Sequence, residues 1–124
     1  MIRKLFNYVL LTSVLASISG TPVLAECGKA SWYELTGRTA SGVMADPEAY
    51  TAAHRSLPFG TKVTVTNLAN GRKVDLIIVD RGPFVRGRVI DVSRRAARDL
   101  RFIKRGIARV HVATDGNTTA ASCG

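Results

Sequence analysis

The sequence predicts a small, mainly β fold: about six short strands and one short α-helix, closed into a barrel. Three observations carry this reading. Residues 62–67 and 107–112 alternate apolar and polar side chains with period two, as half-buried strands do. Asn70-Gly71 lies between two strand-like runs and is a strong hairpin turn. Only the stretch after Ser93 repeats apolar residues at helical spacing. A sandwich would use the same strands, but a closed barrel also removes exposed sheet edges.

The elements follow in order. Residues 29–35 (KASWYEL) are aromatic-rich and strand-like. Residues 36–48 carry Gly37, Gly42 and Pro47 and read as a long irregular loop. Residues 51–54 form a short strand closed by the turn Leu57-Pro58-Phe59-Gly60. After the alternating strand 62–67 and the hairpin, residues 73–79 are almost continuously apolar, which predicts a strand buried on both faces. Ser93 is the expected N-cap of the helix. Ala96, Ala97, Leu100 and Ile103 mark its buried face, and Gly106 closes it. The strand 107–112 is last, and a polar, small-residue tail follows.

The N terminus has the three-part pattern of a secretory signal peptide. Arg3 and Lys4 precede an apolar run over 5–18, and Val23-Leu24-Ala25 predicts cleavage after Ala25. The run is short for a membrane span, and Glu26 before Cys27 does not suit a lipid-modified cysteine. Residues 1–25 are therefore expected to be a signal peptide and 26–124 one exported domain, with no stable membrane anchor after cleavage. Without Arg3 and Lys4, 16 basic residues oppose 9 acidic ones, a net of +7. Such a chain is drawn to envelope polyanions; the export signal and the lack of a nucleic-acid motif argue against nucleic acid.

Cys27 and Cys123 stand at opposite ends of the exported part. In an oxidising compartment an isolated pair is most simply a disulfide, with two free thiols or an intermolecular link as the alternatives. Two cysteines and two scattered histidines do not suggest a metal site, and no cofactor is expected.

The residues that point to chemistry are Asp80-Arg81-Gly82-Pro83-Phe84 and Arg88–Ser93. Asp80 ends an apolar strand at a Gly-Pro turn, and Asp91 follows eleven residues later with Arg81, Arg86 and Arg88 between. A carboxylate held at a strand end suits a site, although each Asp alone could equally cap its turn. His54 is either a site residue or a satisfied polar group under a turn. His111 is expected at the surface or an edge. Trp32 belongs in the core, whereas Tyr33 is the better candidate to stack on a sugar ring.

Six motifs in order resemble one family. They are Ala30-Ser31-Trp32-Tyr33, the segment 37–42 (GRTASG), the segment 51–61 (TAAHRSLPFGT), the segment 65–72 (VTNLANGR), the DRGPF run at 80–84 and Ile90-Asp91-Val92-Ser93. Over about residues 28–113 the chain is similar to the rare lipoprotein A family. That resemblance implies a double-psi β-barrel, here with the six strands counted above and an expected disulfide between the terminal cysteines. It further implies a periplasmic or envelope location and lytic transglycosylase action on peptidoglycan glycan strands stripped of stem peptides. Septal cell-division proteins would be possible partners. The same barrel resembles the first domain of expansins, which loosen polysaccharide walls. Carried over position by position, the resemblance implies catalytic roles for Asp80, Asp91 and His54, and substrate contacts from Tyr33, Thr39, Arg81 and Phe84.

One position departs from the pattern: the family's T-A-x-G segment is normally followed by a Glu thought to serve cleavage, and Val43 stands there. Asp46 and Glu48 lie a few residues on. The family's glycan-binding domain is not expected in the short stretch after the barrel. A lytic transglycosylase needs only one acid that protonates the glycosidic oxygen and then takes the proton of the sugar's own C6 hydroxyl. Like charge between Asp80 and Asp91 would help keep one of them protonated. An arginine beside them would instead hold both ionised as a structural network. The alternatives are a non-catalytic, expansin-like wall-binding module, which Val43 favours, and an interaction domain at the septum with a vestigial groove.

Overall fold

The computed structural model describes residues 24–34, 36–114 and 123. The expected signal peptide, apart from Leu24 and Ala25, lies outside these residues, as do Leu35 and most of the tail. Six strands and one helix follow as β1 (Ala25–Tyr33), β2 (Thr51–Ala53), β3 (Lys62–Asn67), β4 (Lys73–Asp80), β5 (Arg88–Ser93), α1 (Arg94–Leu100) and β6 (Ile107–Ala113). They form a closed barrel in the order β1-β5-β2-β4-β3-β6, with β6 pairing back onto β1. The β1–β5 and β2–β4 pairs are parallel and the rest antiparallel.

The period-two pattern decides which side chains fill the barrel. Val63 and Val65 of β3, Leu76 and Ile78 of β4, Ile90 and Val92 of β5, and Val110 and Val112 of β6 are fully buried in one cluster. Each such side chain stabilises the fold by roughly 1.5–3 kcal/mol. Ala96, Ala97 and Leu100 of α1 join the same core. Trp32 packs against it and donates its Nε1–H to the carbonyl of Ile103 at 3.2 Å. At the β1–β5 register shift, a Cβ on Gly28 would lie 2.5 Å from Val89 Cγ1. Only glycine lets β1 lie over that irregularity, which sets the register of Asp91 beyond it.

Four details differ from the sequence expectation. β1 starts four residues earlier, because its pairing with β6 runs on to Ala25 opposite Ala113. Beyond that pair, Leu24 N–H donates to Thr114 Oγ1 at 2.8 Å and Thr114 N–H to the Leu24 carbonyl at 3.0 Å. β4 is not buried on both faces: it alternates, and Ile77 is 38% exposed on the outer side. The helix stops at Leu100 although Ile103 continues its apolar spacing. Arg101 turns left-handed (φ 67°, ψ 47°), and Phe102 N–H bonds the Ala97 carbonyl as the ring drops into the core. Finally, His111 is buried rather than at the surface, and among the described residues its Nε2 has no partner.

Ser93 is the N-cap as expected: its Oγ accepts from Ala96 N–H at 3.2 Å and donates to the Ala49 carbonyl at 2.6 Å. Cys27 and Cys123 form a disulfide across 96 residues of sequence. Closing a loop of that length stabilises the fold by about 4–5 kcal/mol in the chain-entropy model.

Candidate functional site

Asp80 and Asp91 end up on either side of β2. Ala53, the last residue of β2, pairs with Asp80 on β4 and with Asp91 on β5. Two interstrand steps put the two α-carbons on the order of 10 Å apart. Tyr33, at the end of β1 beside Ser93 of β5, completes the group. The phenol's pKa is pushed up, first by burial and then by the negative charges of Asp80 and Asp91. Its hydroxyl thus stays protonated and can donate a hydrogen bond.

Each carboxylate is held by one oxygen. Asp80 Oδ1 accepts Ala40 N–H at 2.9 Å and Arg81 N–H at 3.0 Å, and Asp91 Oδ1 accepts the Ser31 hydroxyl. Charge-assisted bonds of this kind fix orientation as well as charge. Among the described residues neither aspartate is ion-paired, so Arg81 and Arg88 do not lock them into a structural network.

The Ala40 contact shows how the loop after β1 is seated. Thr39 N–H and Thr39 Oγ1 both donate to the Val43 carbonyl, at 2.8 and 2.7 Å, closing a tight turn. Ser41 N–H reaches the Val79 carbonyl at 3.1 Å. The turn is thereby fastened to the end of β4, and Thr39, buried within it, shapes the loop. Further on, Glu48 bonds Arg94 at 2.8 Å and Arg98 at 2.5 Å, and Arg94 also holds Glu34 at 2.6 Å. Hydrogen bonds from Arg98 and then Arg94 lower the Glu48 pKa to about 2. Glu48 is therefore a loop anchor and cannot stand in for the missing Glu. Asp46 lies nearer: it borders a shallow hollow with Tyr33 and Thr39 while its Oδ1 accepts Glu48 N–H at 2.9 Å. Val43 itself is 53% exposed.

His54 and Arg81 are occupied by the frame. His54 Nδ1 accepts the backbone N–H groups of Ser56 and Leu57, both at 3.1 Å. Its ring proton is thus assigned to Nε2, which bonds Glu26 Oε1 at 2.8 Å. Arg81 Nη1 donates to the carbonyls of His54 (3.1 Å) and Leu57 (2.8 Å), and its guanidinium lies 4.0 Å from the centre of the Phe59 ring. Phe84, by contrast, stands 78% exposed on the turn after Asp80. The sequence reading missed Ser31 and Glu26. Each bonds a site residue across strands, with no local spacing to reveal it.

The closed six-stranded barrel, with Asp80 at the end of β4, Asp91 within β5 and Tyr33 at the end of β1, is a double-psi β-barrel. The family model described as "Lytic transglycolase" matches residues 25–112. The chain belongs to that family. It is 62% identical over 74 residues to a probable endolytic peptidoglycan transglycosylase RlpA of Nostoc sp., covering 60% of this chain and 20% of that protein. Against the endolytic peptidoglycan transglycosylase RlpA of Pasteurella multocida it is 52% identical over 91 residues, 71% of this chain and 31% of that one. The chain thus spans only a fifth to a third of the length of these curated relatives. Among solved structures, the Streptomyces papain inhibitor superposes with a TM-score of 0.60 at 23% identity, covering 74% of this chain and 96% of that one. Apo expansin of Clavibacter michiganensis gives 0.61 at 21% identity, with 77% and 52% covered. At such identities these two show a shared fold.

Proposed function

We propose that this domain is an exported peptidoglycan lytic transglycosylase that cuts glycan strands lacking stem peptides and leaves 1,6-anhydro-muramyl ends. The observation that carries the reading is the convergence of Asp80 and Asp91 on Ala53 of β2, with Tyr33 at the end of β1, the strand that pairs with β5. In the reaction, an aspartic acid protonates the glycosidic oxygen as the bond to C1 breaks. The C6 hydroxyl of the same sugar then closes on C1, and the resulting carboxylate takes its proton. No water is consumed, and the acid is regenerated. Asp80 is the better acid–base candidate: two backbone N–H groups fix its Oδ1, leaving Oδ2 for the sugar. Tyr33 supplies a neutral hydroxyl on the strand beside Asp91, and exposed Phe84 offers a face for a pyranose. His54 and Arg81 act as positioning residues that hold the turn after β2. The peptidoglycan relatives and the signal-like N terminus support an envelope location, with septal proteins as candidate partners.

A second reading has its own observation. Val43 places an exposed apolar side chain where the family carries Glu, which favours a barrel that binds or loosens glycan without turnover. Digestion of amidase-stripped peptidoglycan with mass analysis of soluble products separates the two. Anhydro-muramyl products that an Asp80→Asn protein fails to make, by at least about a hundredfold, support the enzyme. Glycan pull-down with no soluble product supports the binding module and sinks the enzymatic reading.

A further inference from the structure

A wide concavity of the barrel lies beside the aspartates rather than among them. It is a cleft of about 910 Å³ bordered by Lys29, Arg101, Arg105 and Arg109, together with Ile107 and Phe102. All four cations are exposed, and among the described residues no acidic side chain lines the cleft. Among the described residues none of the four is ion-paired. The arginines of α1 differ: Arg94, Arg95 and Arg98 are all paired, with Glu34, Glu48 and Asp99.

Two features of the cleft carry a structural cost. Lys29 of β1 lies directly opposite Arg109 of β6, a like-charge cross-strand pair that destabilises a sheet. Arg101 is the only described non-glycine residue with positive φ, a position where glycine is the favoured residue. Unpaired charge held at such cost is explained by an anion that binds there.

The cleft also adjoins the site. Ile107 on its wall pairs with Ser31, whose hydroxyl holds Asp91. Lys29, Ser31 and Tyr33 alternate along β1 and share one face, with Lys29 on the order of 13 Å from Tyr33. A polymer lying across the aspartates would therefore continue into the cations.

We infer that this cleft is a distal anion subsite for the glycan strand, taking free carboxylates of its sugar residues. The inference rests on the peptidoglycan reading above and deepens it. Removing a stem peptide from its lactyl amide leaves a carboxylate, and guanidinium groups match carboxylates in paired hydrogen bonds. Denuded strands are thus recognised by the charge that peptide removal exposes. The concave shape suits a chain better than the flat face of a bilayer.

The test measures binding of amidase-stripped strands to the oxidised full chain at rising salt, beside a Lys29→Gln/Arg105→Gln/Arg109→Gln variant. Strands whose carboxyls have been reduced to alcohols serve as the neutral comparison. The variant should bind native strands about tenfold more weakly, with a flatter salt dependence. Reduced strands should bind both proteins equally weakly. Because Lys29 and Arg109 repel, the variant should melt no lower than the parent, which excludes misfolding as the cause. Equal binding of native strands by both proteins overturns the inference. So does cleft-dependent capture of phosphatidylglycerol vesicles without cleft-dependent strand binding, which would assign the cleft to a membrane surface. Cleft-dependent strand binding with no anhydro products would instead remove the enzymatic reading and leave the subsite standing.

Discussion

The imidazole of His54 and the carboxylate of Glu26, 28 positions apart in sequence, share a 2.8 Å hydrogen bond that satisfies the last free nitrogen of a buried ring. The other nitrogen holds two backbone N–H groups of the turn after β2. The ring is a strut between the start of β1 and the frame that carries Asp80, since His54 N–H also bonds the Asp80 carbonyl at 3.1 Å.

His54→Ala should therefore cost about 2–4 kcal/mol of stability by stranding buried polar groups. Urea unfolding checks this. Activity per folded molecule should fall far less than in Asp80→Asn. A stable His54→Ala protein as inactive as Asp80→Asn would make the ring catalytic.

Val43→Glu restores the carboxylate that the family pattern places there. The site is exposed, so stability should change by no more than about 0.5 kcal/mol. Release of anhydro products should rise by about tenfold or more if that carboxylate assists the acid. An unchanged but measurable rate would show that the chain's own carboxylates suffice, and absence of product from both proteins would favour the binding module.

Glu48 links the loop before β2 to α1, and its pKa is lowered from 4.5 to about 2. A depressed carboxylate contributes stability that is fully present above its unfolded pKa and is lost as pH falls through the folded value. The loop contacts should hold at pH 5 and above and weaken between about pH 4.5 and 2. Amide protection at residues 44–50, taken relative to the intrinsic exchange rate at each pH, should fall over that interval in the parent. In Glu48→Gln it should already be low at neutral pH and change little on acidification.

Replacing Cys27 and Cys123 with serine should lower stability by about 4–5 kcal/mol, and reduction of the parent should do the same. Guanidinium midpoints with and without reductant measure it. A loss below about 1 kcal/mol would mean that β1–β6 pairing alone closes the barrel.

Much of the fold was legible in the chain because it is written locally. Alternation marks β3 and β6, Asn70-Gly71 their hairpin neighbour, and Ser93 the helix start. The end of α1 was not legible, because Ile103 keeps the helical period while Phe102 is claimed by the core. Asp80 and Asp91 stood out by their place at a Gly-Pro turn and in the following strand. Their supports did not: Ser31 is 60 positions from Asp91, and Glu48 is 46 and 50 from Arg94 and Arg98. Such contacts exist only once the barrel has chosen its strand order, and no spacing along the chain encodes them.

The pairing of the first and last strands has a consequence for how the domain is carried. Ala25 lies opposite Ala113, so the chain enters and leaves the barrel at one rim. Tyr33 lies eight residues along β1, on the order of 26 Å from that rim. Any leash or companion domain joined at either end would hang from the same pole. Such an attachment would leave the Tyr33 end of β1 remote from the tether.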